Sequence, residues 1–160
     1  MEKKSILSEL WSKFKNPWQH DSFIIYFILF VLIFGGLDIY YSIWEQSNSK
    51  WTQPWEIARN MAAYGLTMIG ASAVELVLSP DFQNKKSLTF LTLFISFLAG
   101  ILFHITYFWQ NNYSLILAGI NVFIGIIFWI ISNSDNSNLR EEPFLQDMKE
   151  ETSLHGKTWE

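Results

Sequence analysis

Five polar side chains stand inside stretches that are otherwise apolar: Asp38, Arg59, Glu75, His104 and Asn121. A charge in such surroundings is expensive unless it is paired, hydrated or in use. Asp38 lies in "FGGLDIYYSIW", six residues before Trp44. At 1.5 Å per helical residue it sits roughly 9 Å inside the boundary that Trp44 marks. Arg59 lies in "WEIARNMAAYG", four residues after Trp55, roughly 6 Å inside the same boundary. Opposite charges at matched depth on neighbouring helices predict an ion pair that fixes a hairpin register or contacts a substrate. The alternative is an Arg59 that reaches the surface unpaired. His104 is five residues from Trp109, at a similar depth. One histidine with one carboxylate is a poor metal site, so neither a metal nor a cofactor is expected.

Glu75 interrupts "GASAVELVLSP" four residues before Ser79 and Pro80, roughly 6 Å inside the opposite boundary. Its candidate partners are Lys85, Lys86 and the lysines near the N-terminus. Two readings stand: a cap on that end of a bundle, or an ionisable group facing a cavity or an oligomer axis. Asn121 lies mid-way along its apolar stretch and reads as an interhelical hydrogen-bond donor. Gly125, four residues on, permits a close helix crossing. Two rows at four-residue spacing are small or weakly polar: Ala63, Thr67, Ala71 and Glu75, with Gly70 beside them, and Thr92, Ser96, Gly100 and His104. Such faces let membrane helices approach closely.

The elements that must position these groups are visible in the composition. Of 160 residues, 50% are hydrophobic and 16% charged, against about 25% charged in soluble domains. The apolar residues fall in four blocks, 23–44, 57–78, 88–109 and 113–131. Each is close to the roughly 20 residues of helix that cross a bilayer. The predicted fold class is all-α: a polytopic membrane protein with a four-helix transmembrane bundle over 23–132. Residues 1–22 precede it. Within them Ile6, Leu7, Leu10, Trp11 and Phe14 recur at helical spacing up to Pro17, as in a short amphipathic helix lying in the headgroup layer. Residues 133–160 carry seven acids and three bases. They read as a polar linker and an acidic cytoplasmic tail. A short helix there would put Phe144, Leu145 and Met148 on one face, where they could dock a cytoplasmic protein.

Lys3, Lys4, Lys13, Lys15, Lys85, Lys86, Arg140, Lys149 and Lys157 fall on one side of a four-pass path, and Lys50 alone on the other. By the positive-inside rule both termini are cytoplasmic, in a cell (inner) membrane. Trp44, Trp51, Trp55, Tyr107, Trp109 and Tyr113 mark the outer interface, and Trp11, Trp18 and Trp129 the inner one.

The chain has no cysteine, so thiolate chemistry and disulfides are excluded. It has no phosphate-binding glycine loop, zinc spacing or nucleophile–base motif. No enzyme is expected, and no basic patch with interleaved aromatics points to nucleic acid. The expected partners are the lipid bilayer, further copies of the chain and a soluble cytoplasmic protein. In size, four spans, cytoplasmic termini and acidic tail the plan resembles small four-helix membrane components of bacterial anti-phage systems, such as the Kiwa-type membrane subunit. That resemblance rests on architecture, not on a motif, and implies a membrane subunit in anti-phage defence. The alternative is a small ion channel or proton-coupled transporter using Glu75, Asp38 and His104. A carrier would place such groups near the midplane, whereas here they lie toward the edges.

Overall fold

The computed structural model describes residues 5–48, 53–78, 85–109, 111, 113–136 and 139. Among them the chain is helical throughout, without a strand. Three helices are long and apolar enough to cross a membrane: α4 (Pro54–Leu78), α5 (Lys85–Phe108) and α6 (Tyr113–Ser132). They begin where local chemistry allows. Pro54 opens α4, where its missing N–H is no loss. The Asn111 side chain accepts the Tyr113 amide at 3.0 Å at the start of α6, satisfying a donor that the first helical turn leaves without a partner.

The first apolar block departs from the expected single helix. It runs as α2 (Asp21–Tyr26), a π-helical stretch over Phe27–Phe34, and, after Gly35 and Gly36, α3 (Leu37–Asn48). The Gly35 amide bonds the Phe30 carbonyl at 3.0 Å, a five-residue step that closes the widened turn. Steric need explains the glycines. A Cβ on Gly35 would lie 2.8 Å from the Tyr64 ring, and one on Gly36 would lie 3.0 Å from that of Tyr40. Carbonyls that the break releases are taken by hydroxyls: Tyr64 donates to Val31 O, and Tyr40 to Leu32 O at 2.9 Å. Irregular backbone away from water needs such internal partners.

Ahead of the break, α1 (Ile6–Lys15) and a 3₁₀ turn at Asn16–Gln19 meet the Asp21–Phe34 segment at 92°. Leu10 and Phe14 pack on a core of Ile69, Leu76, Leu88, Ala99, Phe128 and Ile131. Lys13 pairs with Asp135. One end of the bundle therefore gathers α1, the end of α4, the start of α5 and the end of α6. The start of the expected solvated linker is also packed there: Asn133, Ser134 and Leu139 are buried, Leu139 against Phe23 and Phe27. Trp18 and Trp129 do more than mark an interface. Trp18 meets Phe23 and Phe27 edge-on, and Trp129 lies against Phe23, Tyr26 and Phe27.

The centre is the α4–α6 pair, the most extensive contact among the described helices. Gly65 and Gly125 face one another across it. A Cβ on Gly65 would fall 2.6 Å from the Asn121 carbonyl carbon, and one on Gly125 would fall 2.9 Å from Gly65 O. Ala58, Ala62 and Ala118 continue the close seam toward the start of α4.

Candidate functional site

Asp38 and Arg59 form no ion pair, although both lie at the end of the bundle away from α1. The reason is the rotation of α4. Arg59 points toward α5, where its guanidinium carbon sits 4.3 Å from the Trp55 ring centre and 4.4 Å from that of Tyr107. One Nη also donates to Tyr107 O at 3.2 Å. Arg59 is thus a clamp between the start of α4 and the end of α5. Asp38 faces a different strip of α4, which carries Asn60, Ala63, Tyr64 and Thr67.

With Gly35 and Ile39, those residues line a cleft of about 220 Å³ beside the Gly35–Gly36 break ahead of α3. Asn60 and Thr67 lie roughly 9 and 20 Å from the start of α4, so the cleft lies well within the length of a helix long and apolar enough to cross a membrane. Its hydrogen bonds follow one direction. The Ser42 hydroxyl donates to Asp38 O at 2.8 Å, so Ser42 Oγ can only accept from Asn60 Nδ2, at 2.6 Å. The Tyr64 proton goes to Val31 O, and that of Thr67 to Ala63 O at 2.9 Å. Among the described residues no cationic side chain pairs with the Asp38 carboxylate. Asp38 lies in the first turn of α3, and a helix N-terminus returns about 0.3–1 kcal/mol to a carboxylate. Were α3 to lie in a bilayer, a charge on it would cost up to about 2.5–3.5 kcal/mol, the helix-centre value on the mildest scale. The dipole alone does not offset it.

Glu75 lies at the opposite end, exposed on α4. Asn133 Nδ2 donates to its Oε2 at 3.5 Å. The expected lysine partner is not found among the described residues: Lys13 goes to Asp135 instead. Glu75 lines an open cleft of about 410 Å³ with Ser132, Asn133, Asp135 and Asn136. His104 is exposed on α5, its ring 4.5 Å from that of Phe108. No contact joins Asp38, Glu75 and His104, so the three groups of the channel reading are not brought together. No set of three His, Asp or Glu side chains gathers among the described residues.

Asn121 is fully buried, and its Nδ2 donates to Ala62 O at 3.2 Å, across to α4 as its position suggests. The α5 row does not form one face: Thr92 is buried, Ser96 and Gly100 are half-buried and His104 is exposed. Four residues overshoot a turn by about 40°, so the row winds from inside to outside. Ala63, Thr67, Gly70, Ala71 and Glu75 on α4 are all exposed. Phe144, Leu145 and Met148 lie outside the described residues. Sequence reasoning missed Asn60, Tyr64 and Ser42. Only Asn60, adjacent to Arg59 in "ARN", carried a signal of polarity inside an apolar block.

Comparison with known proteins returns no match among family models, curated proteins or solved structures.

Proposed function

We propose that this chain is a non-enzymatic subunit of a cell (inner) membrane that assembles with copies of itself and docks a cytoplasmic protein. The bare face of α4 carries the reading. Ala63, Thr67, Gly70 and Ala71 are exposed, and a Cβ on Gly70 would meet nothing within 4 Å. Lipid contact asks for large apolar side chains; a small-residue face suits a second helix. On α5, half-buried Gly100 likewise has room for a Cβ, which would meet nothing within 4 Å. The chain crosses four times, with the α2–α3 segment as the first pass and α1 lying across its entry. The 92° bend and the gathering of α1 with the end of α6 support an even number of passes. The basic residues put that end in the cytoplasm. The docking surface comprises this end and the tail with Phe144, Leu145 and Met148. A role in anti-phage defence follows from the architectural resemblance alone.

Topology is checked by cysteine labelling, since the chain has no cysteine of its own. Ser47→Cys is expected to react with an impermeant reagent from outside, and Ser153→Cys only after permeabilisation. The reverse pattern rejects the topology.

The function itself is tested by two measurements on the purified protein in mild detergent and in liposomes. The complex should have the mass of several copies. Replacing Phe144, Leu145 and Met148 with Ser should release a co-purifying soluble partner while the oligomer persists. The channel reading gains instead from strong cation flux by the chain alone, abolished by Glu75→Gln and indifferent to the tail.

A further inference from the structure

The cleft beside Asp38 is unusual in what it offers. Thr67 and Tyr64 line it, and both hydroxyl protons are committed to backbone carbonyls, so each oxygen presents only lone pairs. The serine bridge holds the Asn60 amide with its nitrogen on Ser42, leaving Oδ1 as an acceptor. Asp38 adds two carboxylate oxygens. Against these five side-chain oxygens stands one side-chain donor, the second hydrogen of the Asn60 amide. The cleft is acceptor-rich, carries one negative charge and sits beside the Gly35–Gly36 break.

We propose that this cleft binds a compact monovalent cation, a sodium, potassium or ammonium ion, held by the Asp38 carboxylate with Thr67 Oγ1 and Tyr64 Oη. Three lines converge on that ligand class. A cation neutralises the carboxylate that no protein side chain pairs with. Oxygen ligands without competing donors suit a hard cation or an ammonium group, and repel an anion. Helices interrupted at membrane depth are where oxygen ligands can converge on an ion. A monovalent ion also fits the charge: one carboxylate balances one positive charge, whereas divalent sites use more. Ala63 and Thr67 also belong to the α4 face assigned to self-assembly, so the mass of the complex is measured beside the midpoint: a saturable rise at unchanged mass is binding to the cleft, and a rise that follows a change in mass is assembly.

The test is thermal unfolding of the purified full chain in detergent, at constant ionic strength. N-methyl-D-glucamine chloride is exchanged stepwise for sodium, potassium or ammonium chloride. A ligand of the native state raises the midpoint in a saturable way. At least one of the three ions should do so for the wild type and for Glu75→Gln, which lies outside the cleft. The saturable rise should vanish in Asp38→Asn. Thr67→Val removes one oxygen, and its hydroxyl bonds only its own helix, so the fold should tolerate it. Loss of one ligand to a charged group should raise the half-saturating concentration about tenfold or more. The proposal fails if none of the ions acts differently from N-methyl-D-glucamine. It fails equally if Asp38→Asn keeps the saturable rise. Should Asp38→Asn not fold, an unchanged half-saturation in Thr67→Val overturns the assignment, and a raised one supports it.

Discussion

Gly65→Ala is expected to destabilise the protein by about 3 kcal/mol, near the upper end for overpacking, and to cut the yield of folded protein. The added methyl would lie 2.6 Å from the Asn121 carbonyl carbon and 2.7 Å from the Val122 nitrogen. Those are backbone atoms of α6, so no rotamer change relieves the clash and the two helices must separate. Separation also stretches the hydrogen bond from Asn121 Nδ2 to Ala62 O. Gly119→Ala is the internal control. It adds the same methyl to the partner helix α6 but meets nothing within 4 Å. It should be neutral, or raise stability by up to about 1 kcal/mol through helix propensity. The measurement is the thermal midpoint in detergent, where about 3 kcal/mol corresponds to a fall of roughly 6–12 °C in a chain of this size. Equal midpoints for the two variants would show that the α4–α6 seam is looser than described.

Arg59→Met should have the second largest effect, a loss of about 2–3 kcal/mol. The guanidinium lies between two rings and donates to Tyr107 O. Cation–π contacts contribute about 0.5–2 kcal/mol depending on desolvation, and the hydrogen bond from a charged group adds to that. Arg59→Lys should recover only part, because an ammonium cannot lie flat between two rings while donating sideways. Asp38→Asn and Arg59→Met should be additive, since the two residues share no partner. The double-mutant cycle on thermal midpoints distinguishes this clamp from an ion pair. Strong coupling between the two substitutions would restore the pair and remove the clamp.

The difference between clamp and pair shows where sequence reasoning ran out. Depth along a helix is legible, because 1.5 Å per residue converts position into height. Rotation about the axis is not, and it decides that Arg59 faces Tyr107 while Asn60 and Thr67 face Asp38. Blocks 57–78, 88–109 and 113–131 stood out because continuous apolar runs of that length have few other destinations. Block 23–44 looked the same by length and composition. Its division was hidden because Phe, Ile and Leu are as apolar in a π-helical turn as in an α-helical one, and only the Gly35–Gly36 pair hinted at it. Asn121 and Gly125 were readable, since a lone amide and a glycine one turn apart have a common purpose in a membrane helix. Their counterpart Gly65 became visible only when α6 was laid against α4. The Lys13 and Asp135 pairing was hidden for another reason: 122 positions separate them, and no local pattern encodes so distant a contact.

That separation has a consequence in time. The ribosome delivers Lys13 first and Asp135 last, and at about 5–20 residues per second the interval is on the order of 10 s. Through that interval α1 lacks its α6 anchors, since Phe128 and Ile131 are made as late as Asp135, while Ile69, Leu76, Leu88 and Ala99 are made earlier. Its apolar side must rest on whatever the nascent chain or the bilayer surface provides. The α1 helix is therefore made before the other described helices and is among the last to be fully seated. A chain interrupted before α6 leaves Lys13 without Asp135 and leaves Leu10 and Phe14 with only the earlier part of their core, which marks an unfinished copy.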